Sequence, residues 1–364
     1  MAQPRRIALF APLPPTKSGI ARHSAAIATA LRAREGLEVK CYSFERQYPA
    51  WLYPGQAEVS ESLAVFEGQQ RVMRGANPLT WRRAITDISA FQTDISVFPA
   101  WTFALAPALG WMARRARRAG HEVVMVVHNA FDHEASPWKQ RLSLWQLAPA
   151  HRFVTHNTAL ADQLRDHFPD KRVDVFPHPV FDDLPDATGT RPREAAMELL
   201  FFGIVRPYKG LDILLHALAD CERRDIRLTI AGEFWSGEDD TRALVASLNL
   251  TDQVEMLPGF IDDNSAAELF HRADAVMLPY RSVTGSGVVA TAYHYARPVV
   301  ASDLPGLVDV VPNGCGWLVP PEDAAALAQV LKGLNRTATS EAGIKAKNFG
   351  RTLSWDSFAQ LVLG

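Results

Sequence analysis

The chain has 364 residues, which is too long for one ordinary hydrophobic core and predicts two domains of common size. Its 48% hydrophobic and 21% charged residues are typical of a globular protein, and no apolar stretch is long enough to predict a transmembrane helix. The net charge of −2, without basic stretches interleaved with aromatic residues, argues against nucleic acid as a partner.

The first half alternates short apolar runs with helix-length amphipathic segments, which is typical of a parallel sheet covered by helices. The first run is short and ends in prolines, so it predicts a buried strand rather than a signal peptide. Strands are predicted at 5–11, 37–44, 94–98, 122–128, 152–155 and 172–176, with helices at 20–34, 102–119 and 157–168. Residues 45–78 lack a clear period and predict loops that form a lid or an acceptor-facing surface.

A polar, proline-rich linker at 181–196 precedes a second half with the same alternation. Its strands are predicted at 197–202, 226–231, 253–257, 274–278 and 298–301. Its helices are predicted at 209–220, 239–248, 264–272, 286–296 and 321–334, with a last amphipathic helix beginning near Trp355. The predicted fold class is α/β, with two doubly wound domains facing each other across a cleft. Their bounds are 1–183 and 184–345, and 346–364 packs back on the first domain.

Composition also suggests a location and a partner. Three widely separated cysteines without metal-ligand spacing favour a reducing cytoplasm. Residues 1–183 carry 22 Lys and Arg against 17 Asp and Glu, whereas residues 184–364 carry 16 against 23. This asymmetry is either chance variation or the mark of a basic first half that meets a phospholipid surface or a phosphorylated acceptor. The second interpretation predicts peripheral contact with the inner face of the membrane.

Two segments of the second half have the composition of anion-binding turns. In the first, Gly203-x-x-Arg206-x-x-Lys209-Gly210, arginine offers a planar fork and lysine a point charge to a phosphate group. The second, 280–289, has small residues before a helix, whose first amides favour anions. Each pattern also fits an ordinary surface turn between a strand and a helix.

Two segments of the first half follow predicted strands. The loop 12–21 is stiffened by prolines, and Ser18 and Gly19 open a helix toward the predicted crevice; a purely structural connection is the alternative. His128 ends an apolar strand, where its side chain reaches the crevice. The spacing of His128 and His133 is not interpreted as a metal site, because the segment lacks the helix that such a site requires.

Taken in order, these segments resemble the retaining glycosyltransferases of family 4, which have the GT-B fold of two facing Rossmann-like domains. The resemblance runs from Ile7 to Trp355. Its anchors are 18–21, 202–212, 228–233, 273–280, 297–303 and 314–320. It implies transfer of a sugar from a nucleotide-diphosphate sugar, most simply a UDP- or GDP-sugar, to a glycan, a glycolipid or a small-molecule glycoconjugate.

By position, the resemblance assigns roles to individual residues. Arg206 and Lys209 contact the donor diphosphate as catalytic groups, and His128 lies near the transferred sugar. The further donor-binding residues are Ser18, Gly19, Ile20, Gly203, Gly259, Phe260, Ile261, Thr284, Gly285, Ser286, Gly287 and Val288. No Asp-x-Asp is present, so no metal and no cofactor is expected to be required.

One departure from the family pattern concerns its paired carboxylates, Glu-x7-Glu. The two acids fall near Ser282 or Val283 and at Thr291, where this chain has none. The segment instead matches a Thr-x-Ser-Gly-Val version of the loop. Two rivals to the transferase therefore stay open: an inactive nucleotide-sugar-binding subunit, and a nucleotide-sugar epimerase, which would need carboxylates for proton transfer.

Overall fold

The computed structural model describes residues 3–16, 18–48, 59, 63–129, 136–181, 183–189, 191–283 and 285–364. The chain forms two compact units: a first unit of Met1–Phe176 with Trp355–Gly364, and a second unit of Pro177–Ser354. The division lies at Phe176 and again at Ser354, whereas the sequence analysis placed the boundaries after 183 and 345. No helix among the described residues is long and apolar enough to cross a bilayer.

The first unit contains a seven-stranded, all-parallel sheet in the order β3-β2-β1-β4-β5-β6-β7. The strands are β1 (Arg5–Phe10), β2 (Leu37–Arg46), β3 (Gln69–Arg74), β4 (Ile95–Ala100), β5 (Glu122–Val127), β6 (Arg152–Thr155) and β7 (Arg172–Val175). The helices are α1 (Gly19–Arg32), α2 (Pro78–Ala90), α3 (Ala106–Arg118), α4 (Pro137–Leu147), α5 (Thr158–His167) and the C-terminal helix (Trp355–Leu363). The central strands are buried on both faces, as a doubly covered parallel sheet requires.

The prediction that 45–78 is an excursion carrying loops missed a strand. Strand β3 lies within this segment and pairs with β2, and Asn77 caps the start of α2. The pairing of β2 with β3 shifts register twice, and β3 is a half-exposed edge strand, so its residues show no clean alternation. Residues 49–58 and 60–62 lie outside the described residues.

The second unit contains a six-stranded, all-parallel sheet in the order β10-β9-β8-β11-β12-β13. The strands are β8 (Met197–Phe202), β9 (Ile226–Gly232), β10 (Val254–Pro258), β11 (Ala275–Leu278), β12 (Val299–Ser302) and β13 (Gly316–Val319). The helices are α6 (Leu211–Asp220), α7 (Glu238–Ser247), α8 (Asp263–Arg272), α9 (Gly287–His294), α10 (Pro305–Val308), α11 (Ala324–Gly333) and α12 (Arg336–Thr352). The sequence missed β13 and α12.

Each unit is a Rossmann-like, doubly wound α/β sheet, which confirms the predicted fold class. The strand order reverses between β1 and β4 in the first unit and between β8 and β11 in the second. Because ligands of such sheets bind at the carboxyl ends of strands near this reversal, the loops after β1 and β8 are the first places to search for a site.

The C-terminal helix belongs to the first unit and packs against α1. The buried Arg152 side chain on β6 donates hydrogen bonds to the carbonyl oxygens of Leu361 and Val362 and pairs with Glu122 at 2.6 Å. This arginine therefore joins the end of the chain to the central sheet.

Candidate functional site

The turn from Gly203 to Gly210 connects β8 to α6 at the strand reversal of the second unit. Pro207–Lys209 form one 3-10 turn, and Gly210 caps α6 with φ of +64°. A Cβ atom on Gly210 would lie 1.9 Å from the carbonyl oxygen of Pro279, so only glycine lets the turn pack against the end of β11. Arg206 and Lys209 are thus held at either end of a tight turn.

Lys209 is a buried cation, with only 8% of its surface exposed. Its Nζ lies 3.3 Å from the position that a Cβ on Gly203 would occupy and 5.5 Å from the centre of the Tyr280 ring. Burial lowers the pKa of Lys209 to about 8, and no acidic group among the described residues opposes that shift. A buried ammonium without a counter-charge is costly, so this pocket favours an anionic ligand.

Arg206 is exposed and lies against aromatic rings. Its guanidinium carbon is 5.0 Å from the centre of the Trp235 ring and 5.7 Å from that of Tyr208. Trp235 is 56% exposed and follows β9, the strand next to β8. Cation–π contacts of this kind hold a guanidinium in place while leaving its edge available to a ligand. The sequence analysis missed Trp235, although its place just after β9 puts it at the same sheet edge.

Arg281, just beyond β11, braces this turn. Its backbone N–H donates to the carbonyl oxygen of Tyr208 at 2.7 Å, and its guanidinium donates to that of Pro207 at 2.7 Å. The same guanidinium makes a bidentate pair with Asp212 at 2.9 and 2.6 Å and reaches Glu322 at 3.2 Å. The sequence assigned no role to Arg281, and its contacts indicate a structural one.

The amino end of α9 lies beside the Lys209 pocket. The Cγ2 of Val288 is 3.9 Å from the would-be Cβ of Gly203, so the two glycine-containing loops approach each other. Ser286 hydrogen-bonds the side chain of Tyr280, whose pKa is raised by burial. A Cβ on Gly285 or Gly287 would meet nothing within 4 Å, which leaves room in front of the first helical amides. Thr284 lies outside the described residues.

Gly259, Phe260 and Ile261 follow β10 and occupy the same sheet edge, separated from the β8 turn by β9. The N–H of Gly259 donates to the carbonyl oxygen of Gly232 at 3.1 Å, with Gly259 at φ of +116°. Phe260 is 61% exposed. The structure therefore brings Gly203, Lys209 and Val288 into one pocket and places the 259–261 segment farther along the row of strand ends.

In the first unit, Ser18, Gly19 and Ile20 begin α1 after β1. The Oγ of Ser18 accepts a hydrogen bond from the N–H of Ala21 at 3.0 Å, so this side chain caps the helix. A Cβ on Gly19 would meet nothing within 4 Å. Anion binding at this turn would therefore depend on the exposed backbone amides rather than on the serine hydroxyl.

His128 follows β5, where its N–H donates to the carbonyl oxygen of Ala100 at 2.9 Å. Its ring centre is 4.4 Å from that of His23 on α1 and 5.3 Å from that of His156 after β6. The sequence treated His128 as a single residue and missed both partners. His133 lies outside the described residues.

In the second unit, this arrangement suits the stabilisation of a dianionic leaving group. One exposed cation, Arg206, and one buried cation, Lys209, lie within the Gly203–Gly210 turn, and a helix amino end opens beside the buried one. Such groups, fixed before reaction, stabilise negative charge that grows on a departing phosphate.

Two family models match the two halves of the chain. The family model described as Glycosyltransferase Family 4 matches residues 17–184, and the one described as Glycosyl transferases group 1 matches 196–336. A GDP-mannose:glycolipid 4-beta-D-mannosyltransferase of Xanthomonas campestris pv. campestris is 29% identical, covering 58% of this chain and 60% of the relative. A D-inositol 3-phosphate glycosyltransferase of Frankia alni is 35% identical, covering 45% and 44%.

Among solved structures, Anabaena Alr3699/HepE in complex with UDP superposes with a TM-score of 0.74 at 17% identity, covering 99% of this chain and 98% of that one. This similarity shows the fold alone. The match to the mannosyltransferase spans 60% of its length. The two family models together match most of both units, and the chain therefore belongs to the group 1, family 4 glycosyltransferases.

Proposed function

We propose that this protein is a retaining glycosyltransferase that moves a sugar from a nucleotide-diphosphate sugar to an acceptor hydroxyl. The observation that carries the proposal is the buried Lys209, whose Nζ lies against Gly203 beside the open amino end of α9. A diphosphate supplies the counter-charge that this lysine lacks among the described residues.

Each predicted site residue has a place in this proposal. Arg206 and Lys209 stabilise the diphosphate as it departs, and the amides of Ser286, Gly287 and Val288 bind its distal phosphate. Gly203 lets the phosphates approach. The remaining contacts to the nucleotide, its base and the phosphates come from three groups: Gly259, Phe260 and Ile261; Thr284 and Gly285; and Ser18, Gly19 and Ile20.

The reaction breaks the bond between the anomeric carbon and the diphosphate oxygen. The acceptor oxygen then bonds to that carbon on the face from which the diphosphate leaves, and the departing phosphate takes the acceptor's proton. His128 contacts the sugar during this exchange. The cations supply the positive charge that a metal would otherwise bring, so the transfer itself requires no metal and no cofactor.

The donor is a UDP- or GDP-sugar in this proposal. Both nucleotides appear among the similar proteins, UDP in the complex of Alr3699/HepE and GDP in the name of the mannosyltransferase. The acceptor is a glycan or a glycolipid, and the name of the mannosyltransferase supports the glycolipid. Nucleic acid has no part in this function.

We place the protein in the cytoplasm, at the inner face of the membrane. The net positive charge of residues 1–183 supports this location. Trp138 on α4 is 59% exposed, and Arg115 and Arg118 of α3 are exposed. Arg114 of α3 has an internal role instead, because its guanidinium carbon lies 3.8 Å from the centre of the Trp145 ring. This location predicts that the protein sediments with anionic vesicles but not with zwitterionic vesicles.

The two rivals are not favoured. The names of similar proteins are those of transferases rather than epimerases or accessory subunits. Epimerisation would also require carboxylates for proton transfer, and the positions near 283 and 291 carry none.

Thermal stabilisation by UDP-, GDP-, ADP- and dTDP-sugars identifies the nucleotide. Release of that nucleotide is then measured with an acceptor panel for the wild type, Arg206→Ala and Lys209→Ala. Arg242→Ala is the control, because this arginine is exposed on α7 and pairs with Glu238. We expect Arg206→Ala and Lys209→Ala to release the nucleotide more slowly than the wild type, and Arg242→Ala to release it at the wild-type rate. Wild-type rates in both of them would disprove the assignment.

A further inference from the structure

Three histidines from distant parts of the first unit meet at one place. His23 lies on α1, His128 follows β5 and His156 follows β6. One nitrogen of each ring can be chosen so that all three lie within 4.8 Å of one another. His23 is 1% exposed and His156 is 7% exposed, so the cluster is largely buried. The proposed sugar transfer uses only His128 and leaves the other two without a role.

The tautomer of His156 follows from its backbone neighbour. Its Nδ1 lies 3.0 Å from the carbonyl oxygen of Phe176. A carbonyl only accepts hydrogen bonds, so Nδ1 carries the proton, and in the neutral ring the lone pair is on Nε2. Histidines that bind metals have this arrangement, in which the far ring nitrogen donates to a carbonyl or carboxylate and thereby orients the ring.

Aromatic side chains of the C-terminal helix enclose the cluster. The ring centre of Trp355 is 4.9 Å from that of His23, and Phe358 stacks on His156 at 5.2 Å with an interplanar angle of 19°. Such an apolar shell restricts the access of water to the three rings. Among the described residues, no carboxylate or thiol joins the three rings as a further ligand.

We propose that His23, His128 and His156 bind one Zn²⁺ ion, with water as the fourth ligand. Imidazole nitrogen is a preferred zinc ligand, and three histidines with one open position form a known kind of zinc site. Zinc bound at about 2.0–2.1 Å places its ligand nitrogens roughly 3.4 Å apart. Binding of the ion therefore requires the three rings to rotate, so that ligand nitrogens now up to 4.8 Å apart draw together.

This ion fixes the architecture around the site rather than taking part in the transfer. It joins α1 to the carboxyl ends of β5 and β6, beneath the C-terminal helix. The amino end of α1 carries Ser18 and Gly19, so zinc steadies the loop assigned to donor binding. The site shares His128 with the proposed function, but binding of Zn²⁺ to the free protein does not depend on turnover of a donor.

The test uses the full-length protein after treatment with EDTA. Zn²⁺ is titrated against a competing chelator, Co²⁺ is added as a spectroscopic probe, and thermal denaturation is followed with and without Zn²⁺. The variants are His23→Gln and His156→Gln. His167→Gln is the matched control, because His167 is exposed on α5 of the same unit.

We expect the wild type and His167→Gln to bind one equivalent of Zn²⁺, to gain thermal stability with it, and to show the intense visible absorption of four-coordinate Co²⁺. The other two variants should bind about tenfold more weakly or worse. If His23→Gln and His156→Gln both fail to fold, the Zn²⁺ stoichiometry and the Co²⁺ spectrum of the wild type test the proposal by themselves. Absence of stoichiometric binding, weak octahedral Co²⁺ absorption, or unchanged affinity in both folded variants would overturn the proposal and leave a packed aromatic cluster.

Discussion

Replacing Lys209 by Met should stabilise the free protein while weakening its binding of nucleotide. Methionine fills a similar space without the charge. The interval between the ordinary lysine pKa of 10.5 and the value of about 8 for Lys209 corresponds to about 3 kcal/mol, at about 1.36 kcal/mol per pH unit. This is the upper limit of the gain, since the flexible lysine stem relieves part of the cost. For a unit of this size it raises Tm by at most about 10 °C.

The gain should depend on pH in a defined direction. The folded-state pKa of Lys209 is lowered, so the folded protein bears the full cost of the buried charge below about pH 8. Between about 8 and 10.5 the folded protein loses this proton before the unfolded chain does, and wild-type stability rises relative to the variant. The Tm difference between Lys209→Met and the wild type should therefore be large at pH 7 and absent near pH 10.5.

Nucleotide binding supplies the second measurement. Loss of a charge-assisted phosphate contact costs about 1.5–3 kcal/mol, which weakens binding of the nucleoside diphosphate by roughly 10- to 150-fold in calorimetry. Arg206→Met is the matched control, because this cation is exposed. It should weaken binding without raising Tm. A Lys209→Met variant that is less stable, or that binds nucleotide as the wild type does, would refute the reasoning.

Four further substitutions test contacts within the two units. Gly210→Ala should lower Tm by several degrees, because Gly210 has positive φ and a Cβ there would meet the Pro279 carbonyl. Its control, Gly19→Ala, should leave Tm unchanged, because a Cβ at Gly19 meets nothing within 4 Å. Equal changes in Tm for the two variants would contradict the packing argument. Arg281→Ala should weaken nucleotide binding about tenfold in calorimetry, because the Gly203–Gly210 turn loses the side chain that braces it. Unchanged affinity for the nucleotide would show that Arg281 does not position this turn. Arg152→Met should cost about 1.5–3 kcal/mol and expose the C-terminal helix to limited proteolysis, since the carbonyls of Leu361 and Val362 lose their donor while Glu122 keeps its pairing with Arg5. A protease-resistant variant would contradict this.

Most of the sheet architecture follows from the alternation of apolar runs and amphipathic segments. The strands β8 to β11 are short apolar runs followed by glycine, proline or polar residues, and they lie nearly where the sequence predicts them. Strand β3 escaped prediction because it is a half-exposed edge strand whose pairing with β2 shifts register. Periodicity reports burial on one face, and an irregular edge strand carries little of that signal.

The site was harder to predict because its properties arise from contacts between distant segments. The sequence shows Lys209 as a cation on a turn, whereas the fold buries it against Gly203 and Tyr280 and lowers its pKa. The His23, His128 and His156 cluster depends on three elements that are separate in the chain. A strand-end position predicts that a side chain reaches the sheet edge, but it does not identify the neighbours that the side chain meets there.

The chain has Val283 and Thr291 where the resemblance to its family implies a pair of carboxylates, which leads to a last prediction about specificity. At one of those positions, the hydroxyl of Thr291 donates to the carbonyl oxygen of Gly287 within α9, at 3.1 Å. The charge of Arg281 is balanced by Asp212 and Glu322, so Arg206 and Lys209 supply the cationic charge of the turn.

Donor affinity should therefore depend on the diphosphate rather than on the sugar. In competition binding, removing the β-phosphate from the preferred nucleotide should weaken binding at least about tenfold, because it removes the partner of a buried lysine. Changing the sugar on that nucleotide should alter affinity by less than about threefold, since no carboxylate is present at positions 283 and 291 to bind its hydroxyls. A larger dependence on the sugar would mean that other side chains recognise it.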